Sequence, residues 1–446
     1  LVEIDFMPHP KRFWTLAVPG VLLLGGAVVA PFAVSTSPTL AAVQDEPNKP
    51  ADEDPASPSE LFWQRSDPSL IDDEPMKVEV PKGLPPLTPK VVVPAYNPIT
   101  KGKYELGRQL YFDPRLSGNG EVSCATCHNP DKGWSDGGKV STGIHGQTGN
   151  RSAPTVFNTA YGKSMFWDGR SPSLEGQAQG PIINPIEMGM PKHENVVRKV
   201  REVPSYNEQF KKVFGTKPTL DGIAKAIATF ERVAALSGNS KFDKYNAGDN
   251  DALNLNEKRG MVLFGLRLNA DDETETGVEL QKAKCTLCHV GPNFTNEQYH
   301  NLGVGWDEQN KKFLDPGRWA PEPIGEKSDA SFGAFKTPTV RNAALTGPYM
   351  HDGSMATLEE VMDHYNKGGT PNPSLDVDMK PLNLTPQESA DVVAFMKALT
   401  GEHKSTAELL PTLPPDPDGK VPDPRAALNT PKKKIQGAGP HPAPAS

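Results

Sequence analysis

The spacing of apolar and polar residues predicts a mostly helical chain. Three residues of one stretch share a helical face, Tyr104, Gly107 and Tyr111. The pair Asp113-Pro114 then ends the pattern, because proline cannot continue a helix. Further on, Thr219 is a typical N-cap residue, and the apolar residues after it again recur at helical spacing. Both stretches therefore predict amphipathic helices that bury one side against a core.

The second half of the chain carries a similar pair of helix signals. One helix is expected around residues 256–266. Near the end, Thr385, Pro386 and Glu388 have the order of an N-cap, a first-turn proline and a capping-box acid. Gly401 then supplies a stop signal for this last helix.

Both ends of the chain lack this periodicity. The chain has 446 residues, of which 46 are proline and 36 % are apolar. Residues 43–95 are rich in Pro, Asp, Glu and Ser, and residues 403–446 are rich in Pro. Both segments are therefore expected to be extended or disordered. For the apolar island Leu61-Phe62-Trp63 we expect packing on the core, with docking of a partner as the alternative.

The charge of the chain is concentrated near its N-terminus. Ten acidic and two basic residues between Asp45 and Pro75 account for the whole net charge of -8. The remainder is close to neutral, and no basic stripe suggests binding of nucleic acid.

The first 42 residues have the pattern of an export segment. The basic pair Lys11-Arg12 precedes an uncharged apolar run over residues 13–34. That run is also long enough to span a bilayer, so a retained membrane anchor is the alternative to a cleaved signal. Pro19 and Pro31 weaken a spanning helix and favour the cleaved signal. In either case we expect the rest of the protein in the periplasm.

Two five-residue stretches give the clearest indication of a bound cofactor. Each has the form C-x-x-C-H, which is the attachment signature of a c-type haem. Two thiols three residues apart can bond both vinyl groups of one porphyrin, and the adjacent His supplies the proximal iron ligand. The predicted attachment and ligand residues are Cys124, Cys127, His128, Cys285, Cys288 and His289.

The alternatives for these cysteines are a zinc site, a redox-active dithiol or a disulfide. A zinc site needs four ligands close together, whereas the two pairs lie about 160 residues apart in the chain. Because both copies have the haem signature and together use all four cysteines, we predict two covalently bound haems.

The two haem signatures belong to a longer internal repeat. Pro154-Thr155-Val156 recurs as Pro338-Thr339-Val340, and Asp168-Gly169 recurs as Asp352-Gly353, both at an offset of 184 residues. Equal spacing of several residue types predicts two duplicated haem domains. We expect an N-terminal domain over residues 96–245 and a C-terminal domain over residues 246–402.

The repeat also suggests different roles for the two haems. A helix after Thr357, with a capping box to Glu360, has Tyr365 on its apolar face, where a haem can lie. The equivalent position in the first half is Pro181, which has no side-chain ligand atom. One iron can thus be six-coordinate and pass electrons, while the other keeps an open position that can bind peroxide. The alternative for Tyr365 is an ordinary core tyrosine.

Several further motifs carry a family resemblance that covers about residues 96–402. They are Phe166-Trp167-Asp168-Gly169-Arg170, Gln177, Pro181, Asn184-Pro185-Ile186-Glu187-Met188, Thr337-Pro338-Thr339-Val340-Arg341-Asn342 and Pro348-Tyr349-Met350-His351-Asp352-Gly353. With both haem signatures, these motifs resemble the bacterial di-haem cytochrome c peroxidase and MauG family. The resemblance implies two mostly helical cytochrome c-like domains that face each other. It also implies a peroxidatic N-terminal haem and a C-terminal haem that receives electrons.

The resemblance assigns roles to four residues of the first half. Glu187 is implied as the distal acid–base group, with Gln177 nearby, because a carboxylate can take a proton from peroxide and return it to the leaving oxygen. Trp167 matches an aromatic residue that relays electrons between the haems. His145 matches a distal histidine that blocks the peroxidatic haem in many resting peroxidases. Taken alone, these would be a surface carboxylate, a core tryptophan and an exposed loop histidine.

Two matches depart from the peroxidase pattern. Family peroxidases usually have Met as the second haem's sixth ligand, whereas MauG-type members have Tyr, and Tyr365 stands at that position. Met355, Met362 and His364 are close competitors in this sequence. The family also binds calcium between its domains, and the matching positions are Ser152, Thr346 and Pro348. Ser152 replaces an Asn, which is a better ligand, so calcium is less strongly implied.

The sequence therefore predicts a di-haem c-type peroxidase that reduces hydrogen peroxide to water. Its electron donor would be a small cytochrome c or a cupredoxin. The Tyr365 match favours a second interpretation, a MauG-like enzyme that oxidises a residue of a protein substrate through high-valent haem. The His145 match favours the peroxidase. A third interpretation is a di-haem electron carrier without catalysis.

Overall fold

A computed structural model describes residues 57–88, 92–319 and 328–429 of the chain. The predicted signal or anchor over residues 1–42 lies outside these ranges. Within them, no helix combines the length and the apolar character needed to cross a bilayer.

The described residues are mostly helical, as the sequence predicts. The α-helices are α1 Pro58–Phe62, α2 Lys101–Phe112, α3 Cys124–Cys127, α4 Leu174–Ile183, α5 His193–Glu202, α6 Pro204–Phe214, α7 Leu220–Ala234, α8 Lys241–Asn246, α9 Leu255–Phe264, α10 Leu358–Asn366, α11 Pro386–Ala398, α12 Thr406–Leu409 and α13 Pro424–Asn429. Short 3-10 helices lie at Pro68–Leu70, Pro114–Leu116, Pro130–Lys132, Ile144–Gly146, Thr159–Tyr161, Cys285–Leu287, Asp329–Ser331 and Ala343–Leu345.

The β-structure consists of two small antiparallel pairs in the second half. The strands are β1 Tyr299–His300, β2 Trp306–Asp307, β3 Lys312–Phe313 and β4 Phe335–Lys336. In the first pair, β1 lies against β4 with Tyr299 opposite Lys336. In the second pair, β2 lies against β3 with Trp306 opposite Phe313.

Helix starts follow the capping signals of the sequence. The Thr219 side chain accepts a hydrogen bond from the Gly222 amide and begins α7. Thr385 and Glu388 form the predicted capping box of α11. The box expected at α10 differs in one bond: Thr357 accepts from the Glu360 amide, but the Glu360 carboxylate reaches back to the amide of Ala356.

The apolar side chains form two main clusters. One cluster draws on α2 and α4–α7, and the other draws on α8–α11. In the first, α2 and α7 touch at Gly107, where an added Cβ would lie 1.9 Å from the carbonyl oxygen of Ala226. In the second, α9 and α11 touch at Gly260, where a Cβ would lie 1.9 Å from the carbonyl oxygen of Asp391. Glycine lets both helix pairs approach this closely.

Local backbone structures recur at the offset of 184 residues. Phe166 and Met350 both have a positive φ, of 68° and 71°. Around them, the bridge between Met165 and Ser171 recurs between Tyr349 and Met355. This recurrence supports the predicted duplication, whose domain boundaries at residues 96, 245/246 and 402 stay predictions.

Parts of the two extensions pack on the core, contrary to the disorder expected over all of residues 43–95 and 403–446. Leu61 is 1 % exposed and belongs to the first apolar cluster, whereas Phe62 and Trp63 are 39 % and 63 % exposed, so only part of the apolar island packs on the core as expected. Leu409 is equally buried in the same cluster. The Arg108 side chain donates to the carbonyl oxygens of Leu409 and Leu410. Composition alone could not reveal these scattered apolar contacts.

Candidate haem and peroxide site

The two C-x-x-C-H stretches lie on short helical turns. Cys124 and Cys127 bound α3, and Cys285 begins the 3-10 turn at Cys285–Leu287. All four cysteines are free thiols, so neither pair is a disulfide. No group of three or more His, Cys, Asp or Glu side chains in the described part of the chain is arranged to hold a metal ion. The structure thus gives no support to the zinc alternative.

Both predicted proximal histidines are oriented by backbone carbonyls. The Nδ1 of His128 lies 3.3 Å from the carbonyl oxygen of Trp134, and the Nδ1 of His289 lies 3.1 Å from that of Phe294. A carbonyl oxygen only accepts, so Nδ1 carries the proton and Nε2 is left with a free lone pair. Such a bond fixes the tautomer that ligates a metal. Burial lowers the pKa of His289 to about 4, which keeps its imidazole neutral at pH 7.

One continuous cavity of about 860 Å³ joins the two stretches. Its wall includes the six predicted attachment and ligand residues as well as Glu187, Gln177, Trp167 and Tyr365. The four thiols, the two oriented imidazoles and the common cavity fit two haem c groups in chemistry and in arrangement.

The wall near the first attachment site carries the predicted acid–base group. Glu187 follows α4, and its Oε1 accepts a hydrogen bond of 2.8 Å from Asn184 Nδ2. Burial raises the pKa of the Glu187 carboxyl, and the positive charge of Arg170 partly opposes the rise. Pro181 also lines this wall, and it offers no ligand atom to an iron. Glu187 therefore shares this wall with Pro181, the position at which the sequence predicts an iron without a side-chain ligand.

The wall near the second attachment site contains Tyr365. Burial raises the pKa of its phenol well above the ordinary value, and the thiols of Cys288 and Cys285 act in the same direction. Met362 lines the cavity too. The competitors Met355 and His364 are not among the described residues that line it. His364 instead donates from Nε2 to the carbonyl oxygen of Leu302 at 2.9 Å.

Trp167 lies where the two halves of the repeat meet. Its indole Nε1 donates to the carbonyl oxygen of Ser152 at 3.0 Å. The Lys336 amide donates to the carbonyl oxygen of Trp167 at 2.8 Å, and the Ser152 amide donates to that of His351 at 2.8 Å. These last two bonds cross between the halves and are equivalent to each other at the 184-residue offset, since Ser152 corresponds to Lys336 and Trp167 corresponds to His351. The indole is therefore held by a backbone carbonyl of the first half. The Trp167 carbonyl oxygen is held in turn by a backbone amide of the second half.

Two further expected features concern His145 and the matched calcium positions. His145 is exposed and is not among the described residues that line the cavity. The matched calcium positions Ser152, Thr346 and Pro348 do line it, but the Ser152 hydroxyl already donates to the carbonyl oxygen of Met350 at 3.1 Å. The one side-chain oxygen implied for calcium is thus engaged in a hydrogen bond in this structure, and the calcium site stays a prediction.

Sequence reasoning missed several residues of the cavity wall. Glu231 is 5 % exposed, burial raises its pKa to about 8, and its Oε2 has no hydrogen-bond partner among the described residues. It lies four positions after Ile227 on the apolar side of α7. A single acidic residue among apolar residues at helical spacing was a signal of function that the sequence offered. His300 pairs through Nδ1 with Asp376 Oδ2 at 2.6 Å, beside Cys288. No local pattern marks this pair, because 76 residues separate its members.

Covalent attachment at both sites is the first testable consequence. Denatured protein in alkaline pyridine should give the spectrum of two c-type haems per chain. Cys124→Ala with Cys127→Ala should reduce the stoichiometry to one and leave the haem at Cys285 and Cys288. A wild-type stoichiometry of one, or haem that acidified acetone extracts, would contradict the assignment.

Comparisons with known proteins agree with this geometry. The family profile described as di-haem cytochrome c peroxidase matches residues 101–251. The methylamine utilization protein MauG of Methylorubrum extorquens is 41 % identical over 323 residues, which cover 72 % of this chain and 84 % of that protein. The cytochrome c551 peroxidase of Nitrosomonas europaea is 37 % identical over 324 residues, which cover 72 % and 86 %.

A solved structure is similar as well. The crystal structure of a MauG-like protein associated with microbial copper homeostasis superposes with a TM-score of 0.63 at 31 % sequence identity. The match covers 73 % of this chain and 96 % of that one.

Proposed function

The chain belongs to the di-haem cytochrome c peroxidase and MauG family, and on this premise we propose that it reduces hydrogen peroxide to water with electrons from a partner protein. One observation carries the proposal: both haem-attachment sites and the half-buried carboxyl of Glu187 line the same cavity. Each turnover converts one peroxide, two electrons and two protons into two waters. The two bound haems would supply the redox chemistry.

Glu187 is the residue that we assign to proton transfer. Its carboxylate takes the proton of the peroxide oxygen that binds, and then returns it to the oxygen that leaves as water. Asn184 holds Oε1, so Oε2 remains for the substrate. The raised pKa brings the carboxyl closer to neutral pH, where a group can both accept and release a proton efficiently. Gln177, in the same wall, is assigned to positioning the substrate.

Trp167 is assigned to the relay of electrons between the two attachment sites. Its indole lies in the wall of the shared cavity, and the bonds to Ser152 and Lys336 hold it at the meeting of the halves. Because the relay passes each electron on, Trp167 undergoes no net change in a turnover.

The alternative of a plain electron carrier makes a different prediction at the first site. Electron paramagnetic resonance of the oxidised protein, followed by rapid mixing with peroxide, tests the proposed function directly. One high-spin or open haem that reacts with peroxide supports the peroxidase. Two low-spin, six-coordinate haems that ignore peroxide would support the carrier.

A second candidate function rests on Tyr365. In a MauG-like enzyme the reductant is a residue of a protein substrate rather than a small cytochrome c or a cupredoxin. Tyr365 lines the cavity beside the second pair of cysteines, whereas Met355 and His364 do not line it. A phenolate ligand favours ferric and higher oxidation states, and Met favours the ferrous state. Binding to iron would have to displace the phenol proton that burial otherwise retains.

The ligand of the second haem can be identified by a pair of variants. Tyr365→Met should raise the reduction potential of that haem and introduce the near-infrared charge-transfer band of His–Met ligation. Met362→Leu, the matched control in the same wall, should leave the wild-type spectrum unchanged. A His–Met band in the wild type that disappears in Met362→Leu would show that Met362 is the ligand instead.

The cellular setting belongs to the same proposal. The export pattern of residues 1–42 and the chemistry of c-type haem attachment support a periplasmic protein that meets its donor or protein substrate there. Membrane contact would be limited to that N-terminal segment if it is retained. Calcium between the halves stays a prediction of the family resemblance.

A further inference from the structure

The two halves of the repeat differ by an inserted segment. Pro154 lies 26 residues after His128, whereas Pro338 lies 49 residues after His289. The extra residues of the second half include the β2–β3 hairpin and the chain that follows it. This segment contributes Asp315, which is 7 % exposed, to the wall of the shared cavity.

Asp315 forms a two-point ion pair with Arg151 of the first half. Arg151 Nε lies 2.6 Å from Asp315 Oδ2, and Nη2 lies 2.8 Å from Oδ1. The amide of Gly317 also donates to Oδ1, at 2.9 Å, which orients the carboxylate. A planar guanidinium that bonds a carboxylate at both oxygens is held in direction as well as in distance.

Arg151 connects this pair to both partners of the indole hydrogen bond. Its Nη1 lies 2.7 Å from Oδ2 of Asp168, the residue after Trp167. Arg151 itself precedes Ser152, whose carbonyl oxygen accepts from the indole. The inserted segment adds a further tie, because Arg318 Nη1 donates to the carbonyl oxygen of Asp168 at 2.8 Å.

The equivalent positions of the second half contain no such ion pair. At the 184-residue offset, Arg151 corresponds to Phe335 and Trp167 corresponds to His351. Phe335 stacks on the His351 ring with centroids 3.6 Å apart. The second half thus has an aromatic contact at the positions where the first half has Arg151 and its ion pairs.

We infer that Asp315 is a positioning residue for electron transfer between the two haem sites, acting through Arg151 on the bond between Trp167 and Ser152. The inference rests on the proposed relay role of Trp167. The inserted segment would then fix the orientation of the indole from the opposite half. The indole would therefore adopt its electron-relay orientation only when both halves are docked.

The test uses the full haem-loaded protein and the variant Asp315→Asn. Transfer of an electron from the second site to the first, after rapid photoreduction, should slow by roughly 10-fold, since small misplacements of a reacting group have effects of this order or larger. The bimolecular reaction of peroxide with the first site should keep its wild-type rate. Hydrogen exchange at the Ser152 amide should accelerate, because its bond to His351 loses support.

Three further variants distinguish a positioning role of Asp315 from a nonspecific effect of lost charge and from a failure of the relay itself. Glu308→Gln removes an exposed carboxylate from the same inserted segment and should leave all three readouts unchanged. Asp315→Glu keeps the charge and should restore most of the transfer rate. Trp167→Phe tests the relay itself: if it leaves transfer unchanged, the proposed relay fails. If Trp167→Phe slows transfer but Asp315→Asn does not, the relay stands and the positioning role of Asp315 is overturned.

Discussion

Glu187→Gln is expected to slow the reaction with hydrogen peroxide by roughly 100-fold or more, which is typical of losing a general acid–base group. Glutamine keeps the shape of the side chain and the oxygen that accepts from Asn184. It cannot take a proton from peroxide, so only the chemical step is removed. Both haems should remain attached with unchanged spectra. Stopped-flow mixing of the protein with peroxide measures the rate.

The pH dependence gives this prediction a second readout. The carboxylate form of Glu187 is the base, and burial raises its pKa above the ordinary value. The wild-type rate should therefore fall as the pH drops through that raised pKa, because the group becomes protonated, and the fall should disappear in Glu187→Gln. Glu208→Gln, which neutralises an exposed carboxylate on α6, should behave like the wild type. A Glu187→Gln variant with the wild-type rate would show that another group transfers the proton.

Asp243→Asn is expected to lower the free energy of unfolding by about 3–5 kcal/mol, the range for breaking a buried ion pair. Asp243 and Arg341 are each 1 % exposed in their side chains and lie 2.8 Å apart. Arg341 also donates to the carbonyl oxygens of Pro292 and Gly83, so it cannot turn to solvent without breaking other bonds. The substitution leaves its charge buried without a carboxylate.

Chemical denaturation of the haem-loaded protein, followed by circular dichroism, measures the change. The control is Asp221→Asn, which breaks a half-buried pair with Lys225 one turn away on α7 and should cost no more than about 1 kcal/mol. Equal stability of Asp243→Asn and the wild type would mean that the remaining hydrogen bonds of Arg341 suffice.

The helical framework was predictable because its signals are local. Thr219 and Thr385 lie within three residues of the amides that they cap, so the sequence contains both partners of each bond. The haem sites were predictable for the same reason, since each C-x-x-C-H signature holds both thiols and its histidine in five residues. Glu187 and Tyr365 were reached by the family resemblance and the internal repeat rather than by periodicity.

The contacts that sequence reasoning missed join distant parts of the chain. Arg151 and Asp315 are 164 residues apart, and no spacing rule connects them. The placement of His145 depends on how the loop from Gly143 packs: the Ile144 amide donates to the carbonyl oxygen of Glu187, and the histidine side chain is left at the surface. Such outcomes depend on tertiary packing, which composition and periodicity do not contain.

The C-terminal segment contacts the first haem-attachment signature. Thr126, between the two attachment thiols, donates from its hydroxyl to the carbonyl oxygen of Ala427 at 3.3 Å. The Thr406 amide donates to Asp131 Oδ1 at 2.8 Å, just beyond His128. These bonds exist only once the C-terminal segment has docked, whereas haem attachment needs access to the thiols of Cys124 and Cys127. We therefore expect attachment to precede this docking, which makes the C-terminal segment a late-closing part of the fold.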